Sequence, residues 1–326
     1  MLPPRFSKAI LDLHGQNGKK WLDNLPQFLA KYADRWSLTL HPPFKNLSYN
    51  YVCPATRSDG THAVLKAHVK NNNSLDTEAA ALFIYDGRGS ARLLESDPDG
   101  GAILIERLYP GSLLSDLTDD DQATLIAAQV MKQLWASEQP QSLKGFPEYR
   151  EGVDNIWKKI GVYETRSFPT IAEWMKGLRK LRKEFNGGTG PYPVHLIEIA
   201  EHLSDDLLSS QEPSFLLHGD FHHYNILSAE REPWLTIDPK GVVGDQAYEI
   251  GSYLRNPIHT LYSRSDLDKI TARRVNIFSE FFGFDRTRII GWSLIHTILS
   301  VWWSYEDHQE IDQNGLSLAE ILVKLL

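Results

Sequence analysis

His218-Gly219-Asp220-Phe221-His222-His223-Tyr224-Asn225, followed by Ile237-Asp238-Pro239, sets two carboxylates and a carboxamide at the ends of short apolar runs. Short strands hold such side chains rigidly at one rim. Phosphoryl transfer is largely positioning and charge neutralisation: one carboxylate orients the attacking hydroxyl, and oxygen ligands hold the hard cation that bridges the phosphates. Asp220, Asn225 and Asp238 are the right types for these tasks. Taken singly, each is equally well explained as a turn residue bonding its own backbone, but the ordered set is not. A metallohydrolase site on His218, Asp220 and His222 is the rival reading. Gly219 and the apolar strand before it argue against the helical i,i+4 histidine pair such a site would use. His218 is better read as bracing the loop, with His222 or His223 exposed.

The elements around these residues change character along the chain. Apolar residues from Ser7 to about Trp36 recur at helical spacing, broken at His14-Gly15-Gln16-Asn17-Gly18, which predicts two short helices joined by a turn. Tyr49–Val69 then alternates about the turn Ser58-Asp59-Gly60-Thr61, a β-hairpin, with Lys66 in mid-strand. Ser74 or Asp76 is placed to cap a helix through Glu78 and Tyr85, and strands follow at Ala91–Glu95 and Ala102–Glu106. Tyr109-Pro110-Gly111 ends this pattern. Helical stripes cover Gln122–Glu138, Val153–Arg166, Ile171–Glu184 and Pro193–Ser209, and helices resume after the non-helical island 214–245. The organisation is α+β, with an N-terminal region 1–108 of antiparallel sheet plus helices and a larger, mainly helical region 109–326. Neither Asn186-Gly187-Gly188-Thr189-Gly190-Pro191 nor His14–Lys20 has the context of a phosphate loop.

Composition narrows the function classes. A hydrophobic content of 42% with 23% charged residues belongs to a folded chain. The formal charge of −8, from 34 basic against 42 acidic residues, argues against nucleic acid or an anionic membrane as the main partner. Cys53 is the single cysteine, so no intrachain disulfide or cysteine-rich zinc site forms. The N-terminus lacks an apolar signal core, and no run approaches the roughly 18 apolar residues of a membrane span. These features place the protein in the cytoplasm, with no obligatory protein partner.

The longer string, from His218-Gly219-Asp220 through Asp238-Pro239-Lys240-Gly241 to Gly244-Asp245, Glu249 and Leu254-Arg255-Asn256-Pro257, resembles the aminoglycoside/hydroxyurea antibiotic resistance kinases of the streptomycin 6-kinase type. These lie within the aminoglycoside phosphotransferase and protein-kinase-like superfamily. The resemblance is dense over about 215–257 and implies a bilobal kinase-like fold, with ATP as donor, GTP as the alternative, and Mg2+. By it Asp220 is the catalytic base, Asn225 and Asp238 are metal ligands, Lys66 holds the α- and β-phosphates, and Glu78 orients Lys66. Glu106 and Leu108 mark the hinge whose backbone meets the adenine. Lys45–Asn50 stands where a kinase carries a glycine-rich cover. It has no glycine, so phosphate contacts fall to the Ser48 hydroxyl or the Asn50 amide.

The resemblance also points to Asp245, Glu249, Trp303 and Glu306 as residues facing the acceptor. Without it, Trp302-Trp303 reads as helix core and Glu306-Asp307 as a helix-end surface. The expected acceptor is a cationic small molecule, a hydroxyl of an amino sugar or aminocyclitol read by carboxylates. A housekeeping sugar kinase is the runner-up, and a nucleotide-binding module without turnover is the alternative from another class. A protein kinase is disfavoured because no activation loop is readable between Asp238 and Asp245.

Overall fold

The computed structural model describes residues 2–70, 74–136, 156–160, 162, 167–210 and 213–326. They form two compact units, one built on residues up to Tyr109 with the described part of 147–167, the other on the remainder.

In the first unit, helix α1 (Pro4–Arg35) is broken at Gly15, whose φ of 53° and ψ of −127° are non-helical. The expected pair of helices is therefore two arms about one glycine. A five-stranded sheet follows in the order β1-β2-β3-β5-β4, antiparallel throughout. Its strands are β1 (Leu38–Leu40), β2 (Tyr51–Arg57), β3 (His62–Ala67), β4 (Leu93–Asp97) and β5 (Ala102–Glu106). Strand β1 was not expected. Alternation sends Cys53, Ala55, Ala63, Leu65, Ala67, Ala102 and Leu104 to one face, where they join Phe6, Ile10, Tyr32 and Trp36 in a buried cluster. Lys66, in register between Val52 and Ile103, takes the opposite face and is buried. Helix α2 (Ser74–Tyr85) brings Glu78 to it. Asp76 lies inside the first turn of α2, so it is not the N-cap, and the side chain of Ser74 lies outside the described residues.

The second unit is mainly helical: α3 (Asp120–Ala136), α4 (Ile171–Trp174), α5 (Lys176–Glu184), α6 (Val194–Ser209), α7 (Gln246–Leu254), α8 (Leu267–Phe282), α9 (Arg286–His308) and α10 (Gln313–Leu325). Of the helix expected over Val153–Arg166, residues 156–159 are helical and most of the rest lies outside the described residues. Helix α9 is buried on every side from Ile289 to Leu299 and packs against α6, α7 and α10, so it forms the axis of the core. Side chains cap several helices, Asp285 accepting from Arg288 N at 2.9 Å and Asp312 from Asn314 N at 3.0 Å.

Two small sheets carry the island. One has the order β6-β8-β9, from Pro110–Leu113, Ile226–Ala229 and Trp234–Thr236. The other pairs β7 (Phe215–Leu217) with β10 (Val242–Gly244). Pro110 was expected to end the strand pattern, yet it opens an edge strand, a position where its missing N–H costs no ladder bond.

Candidate active site

Strand register brings the island's polar residues to common ends. Ile226 pairs with Thr236, so the residues just outside them, Asn225 and Ile237, lie opposite each other, and Ile237 N donates to Asn225 O at 2.9 Å. Asp238 comes next, at φ +60°, a left-handed conformation that a non-glycine residue adopts at a cost. Leu217 pairs with Val242, and the His218 carbonyl accepts from Lys240 N at 2.7 Å and Gly241 N at 3.2 Å. These bonds pin the turn 238–241 onto the loop that begins at His218.

His218 is fully buried and joins the two halves of the site. Its Nε2–H donates to Ile237 O at 2.9 Å, and its Nδ1 accepts from Asp220 N at 3.3 Å. Burial pushes its pKa down to about 4, with the Asp220 carboxylate opposing, so the ring is neutral and its tautomer follows from the two bonds. Both ring nitrogens are committed to backbone. The metallohydrolase reading therefore loses a ligand. Gly219, at φ +80°, leaves no room for a side chain: a Cβ there would lie 3.0 Å from both Trp174 Cη2 and Val242 Cγ1.

Asp220 is held by its backbone, its carbonyl accepting from Asn225 Nδ2 at 3.0 Å. That bond uses the amide nitrogen of Asn225 and leaves its Oδ1 for another partner. The Asp220 carboxylate has His222 Nε2 at 3.4 Å from Oδ1 and Lys240 Nζ at 3.7 Å from Oδ2. Burial lowers the His222 pKa, so this contact is a neutral imidazole beside a carboxylate. Lys240 Nζ is also 3.4 Å from Asp238 Oδ2. The two carboxyl side chains keep 31% and 34% of their surface exposed, which leaves both able to take further partners. Neither of the next two histidines is exposed as expected: His222 is half-buried, and His223 is buried and stacked on Tyr253 at 4.1 Å.

Asp220 opens onto a cavity of about 570 Å³. Trp174 and Trp303 meet edge to face on its wall at 5.6 Å. Lys176 and Lys180 line it from one face of α5, and Arg255, His296 and Ser300 also line it. Arg255 Nη1 donates to Ser300 Oγ at 2.6 Å. The wall carries Lys176, Lys180, Lys240 and Arg255 against the carboxylates of Asp220 and Glu173, and Glu173 is engaged by Thr170 N at 2.9 Å.

Of the four residues expected to face an acceptor, Trp303 lines this cavity, while its neighbour Trp302 is core. Glu306 does not line it, but sits 3.5 Å from Lys180. Asp245 and Glu249 require correction. Asp245 caps α7, accepting from Ala247 N at 2.9 Å, and its Oδ2 accepts from Trp292 Nε1 and Arg288 Nε, both at 2.6 Å. Glu249 is fully buried and accepts from His218 N at 2.6 Å and Gly219 N at 2.9 Å. Burial raises its pKa to about 8 against the pull of those two N–H groups. Glu249 holds the His218 loop from within, and Asp245 ties the start of α7 to α9. Trp174, Lys176, Lys240, Arg255 and His296, which the cavity brings together, were not singled out from sequence; the Lys240 and Arg255 motifs were the available signal.

In the first unit Lys66 Nζ donates to Glu78 Oε2 at 2.6 Å, both side chains sealed from solvent. Ser48 is exposed and Asn50 half-buried in the turn before β2. Glu106 pairs through its backbone with Ala63, its carboxylate accepts from Arg92 N at 3.0 Å, and Leu108 is buried.

A strand lysine paired with a helical glutamate, and a His-Gly-Asp loop coupled to a second aspartate, define a kinase-like small-molecule phosphotransferase. Residues 35–308 match the family described as aminoglycoside/hydroxyurea antibiotic resistance kinase, and the chain belongs to that family. It is 28% identical to streptomycin 6-kinase of Streptomyces griseus over 99% of this chain and 97% of that one. It is 30% identical to hydroxyurea phosphotransferase of Kitasatospora aureofaciens over 99% and 86%. The fold is shared with a choline/ethanolamine kinase family protein from Mesorhizobium loti, with a TM-score of 0.60, 14% identity, and coverage of 92% of this chain and 95% of that one. No helix among the described residues is long and apolar enough to cross a membrane.

Proposed function

We propose that the protein transfers the γ-phosphoryl group of ATP to a hydroxyl of a small ring compound, in the cytoplasm and with Mg2+, and that an aminoglycoside or aminocyclitol of the streptomycin kind is the acceptor. The observation that carries this reading is the Asp220 carboxylate at the wall of a cavity large enough for such a ring, coupled through His218 and Lys240 to Asp238. The acceptor hydroxyl gives its proton to Asp220 as its oxygen bonds the γ-phosphorus. The bond from that phosphorus to the β–γ bridging oxygen breaks, and ADP leaves.

The donor set fits a hard divalent cation. Asp238 offers a carboxylate and Asn225 the amide oxygen left by its bond to Asp220, with the remaining positions suited to phosphate and water. Mg2+ held there would neutralise charge on the nucleotide phosphates. Lys66, oriented by Glu78, is assigned to the α- and β-phosphates, Ser48 and Asn50 to the phosphate cover, and the backbone at Glu106–Leu108 to the adenine edge. Trp174 and Trp303 offer apolar ring faces to the acceptor.

A second reading, an uncharged or acidic sugar-like acceptor, is favoured by the cationic side chains on the cavity wall. Steady-state assays with Mg-ATP and a panel of streptomycin, other aminoglycosides, glucosamine and hydroxyurea test the aminoglycoside assignment. Turnover on streptomycin or another amine-bearing compound is expected. None on any amine-bearing member would overturn the aminoglycoside assignment.

A further inference from the structure

The reading above gives Lys240 no part in the transfer itself, yet its side chain touches two carboxylates of the island, Asp220 at 3.7 Å and Asp238 at 3.4 Å. We propose that Lys240 is a further catalytic residue, whose ammonium contacts the phosphoryl group in transit between nucleotide and acceptor. The inference rests on the phosphotransferase reading and adds a residue to it.

Three features support this. First, the position is built in: Lys240 N is fixed to the His218 carbonyl at 2.7 Å, and Pro239 and the left-handed Asp238 before it restrict the backbone that aims the side chain. Second, Lys240 lines the acceptor cavity beside Asp220, so its charge lies where an acceptor oxygen would attack. Third, its contacts to Asp220 and Asp238 are both longer than a close ion pair and its side chain is 45% exposed, so the ammonium is accessible to an arriving anion. His222, the other nitrogen group within 4 Å of the Asp220 carboxylate among the described residues, is pinned in a half-buried loop. An accessible ammonium between the proton acceptor and the second carboxylate can meet the negative charge of the moving group, and charge stabilisation that grows toward the transition state raises kcat rather than affinity.

The test is a comparison of Lys240→Met, Lys240→Gln and Lys240→Arg with wild type, using whichever acceptor the substrate panel identifies. The proposal expects kcat to fall roughly 100-fold or more in the Met and Gln variants, with KM for ATP within about threefold, and at least tenfold recovery in the Arg variant. A binding measurement separates this role from a structural one. Mg-ADP should bind the Met variant as it binds wild type, whereas Mg-ADP with aluminium fluoride and acceptor, which mimics the phosphoryl group in flight, should bind about 100-fold more weakly. If the Met variant turns over within threefold of wild type, the ammonium only balances resting carboxylates and the proposal is overturned. Equal weakening of Mg-ADP and of the aluminium fluoride complex overturns it as well. Wild-type protein that neither turns over nor binds Mg-ADP overturns the phosphotransferase reading and this inference together.

Discussion

The molecule holds two acid–base groupings built on opposite principles. Lys66 and Glu78 sit 2.6 Å apart with 7% and 5% of their side chains exposed, in a sealed sheet–helix layer. Asp220, Asp238 and Lys240 are each about a third or more exposed, Lys240 lies 3.7 Å from Asp220 and 3.4 Å from Asp238, and Asp220 and Lys240 line a cavity. A sealed pair keeps a charge at one place, which suits a group that grips part of a ligand that does not react. A loose, wet cluster can exchange partners, which suits groups between which a proton and a phosphoryl group must move. Low dielectric makes the first costly to break, and solvent makes the second cheap to rearrange.

Breaking the open cluster should give the largest effect. Asp220→Asn should lower kcat by about 10²- to 10⁴-fold while leaving Mg-ADP affinity near wild type, measured by steady-state kinetics and calorimetry. Asp238→Asn should instead weaken Mg-ADP binding and spare metal-free nucleotide binding. Equal loss of nucleotide affinity in both variants would show that the two carboxylates do not divide the work as assigned. The sealed pair should respond in stability: Lys66→Met removes the ammonium 2.6 Å from the buried Glu78 carboxylate and should cost about 3–5 kcal/mol, read from chemical denaturation.

The buried carboxylates of the second unit sharpen the contrast further. Asp245→Ala removes a helix cap, leaves Trp292 Nε1 without its acceptor and leaves Arg288 with only Ser210 of its two side-chain partners, so a loss of about 2 kcal/mol of stability is expected, with KM for the acceptor little changed. A large rise in acceptor KM without a fall in stability would restore Asp245 to the acceptor site. The smallest effect concerns pH. Glu249 has its folded pKa raised to about 8 from an ordinary 4.5, so the folded state binds the proton more tightly than the unfolded chain. Its contribution to stability is full below pH 4.5, falls as pH rises through that window, and is lost above 8. Glu249→Gln should flatten that part of the denaturation-midpoint curve between pH 5 and 8.

Much of this was legible in the sequence because it is local. The hairpin of Lys66, the helix of Glu78 and the order Asp220, Asn225, Asp238 are set by alternation, turn residues and spacing within short windows. What escaped depends on distant partners. Strands β1 and β10 are three residues each, too short for a periodic signal, and exist because Thr56 and Leu216 offer them edges. Pro110 opens a strand only because Ala229 lies beside it. Asp245 and Glu249 are acids after a metal-site motif in sequence, but the fold turns one toward Arg288 and the other under the His218 loop. Sequence gives their type, and only tertiary packing decides which N–H groups they meet.

Gly177 shows how such a cavity could be reshaped. A Cβ at this position would lie 2.7 Å from Leu299 Cδ2, so α5 is already seated as close to α9 as two helices with a methylene between them would forbid. The wall carrying Lys176 and Lys180 is therefore packed closely against its neighbour. Re-tailoring the enzyme for bulkier or slimmer acceptors is then a matter of trimming the indoles at 174 and 303 or the hydroxyl at 300, as one re-cuts a key against a fixed lock barrel.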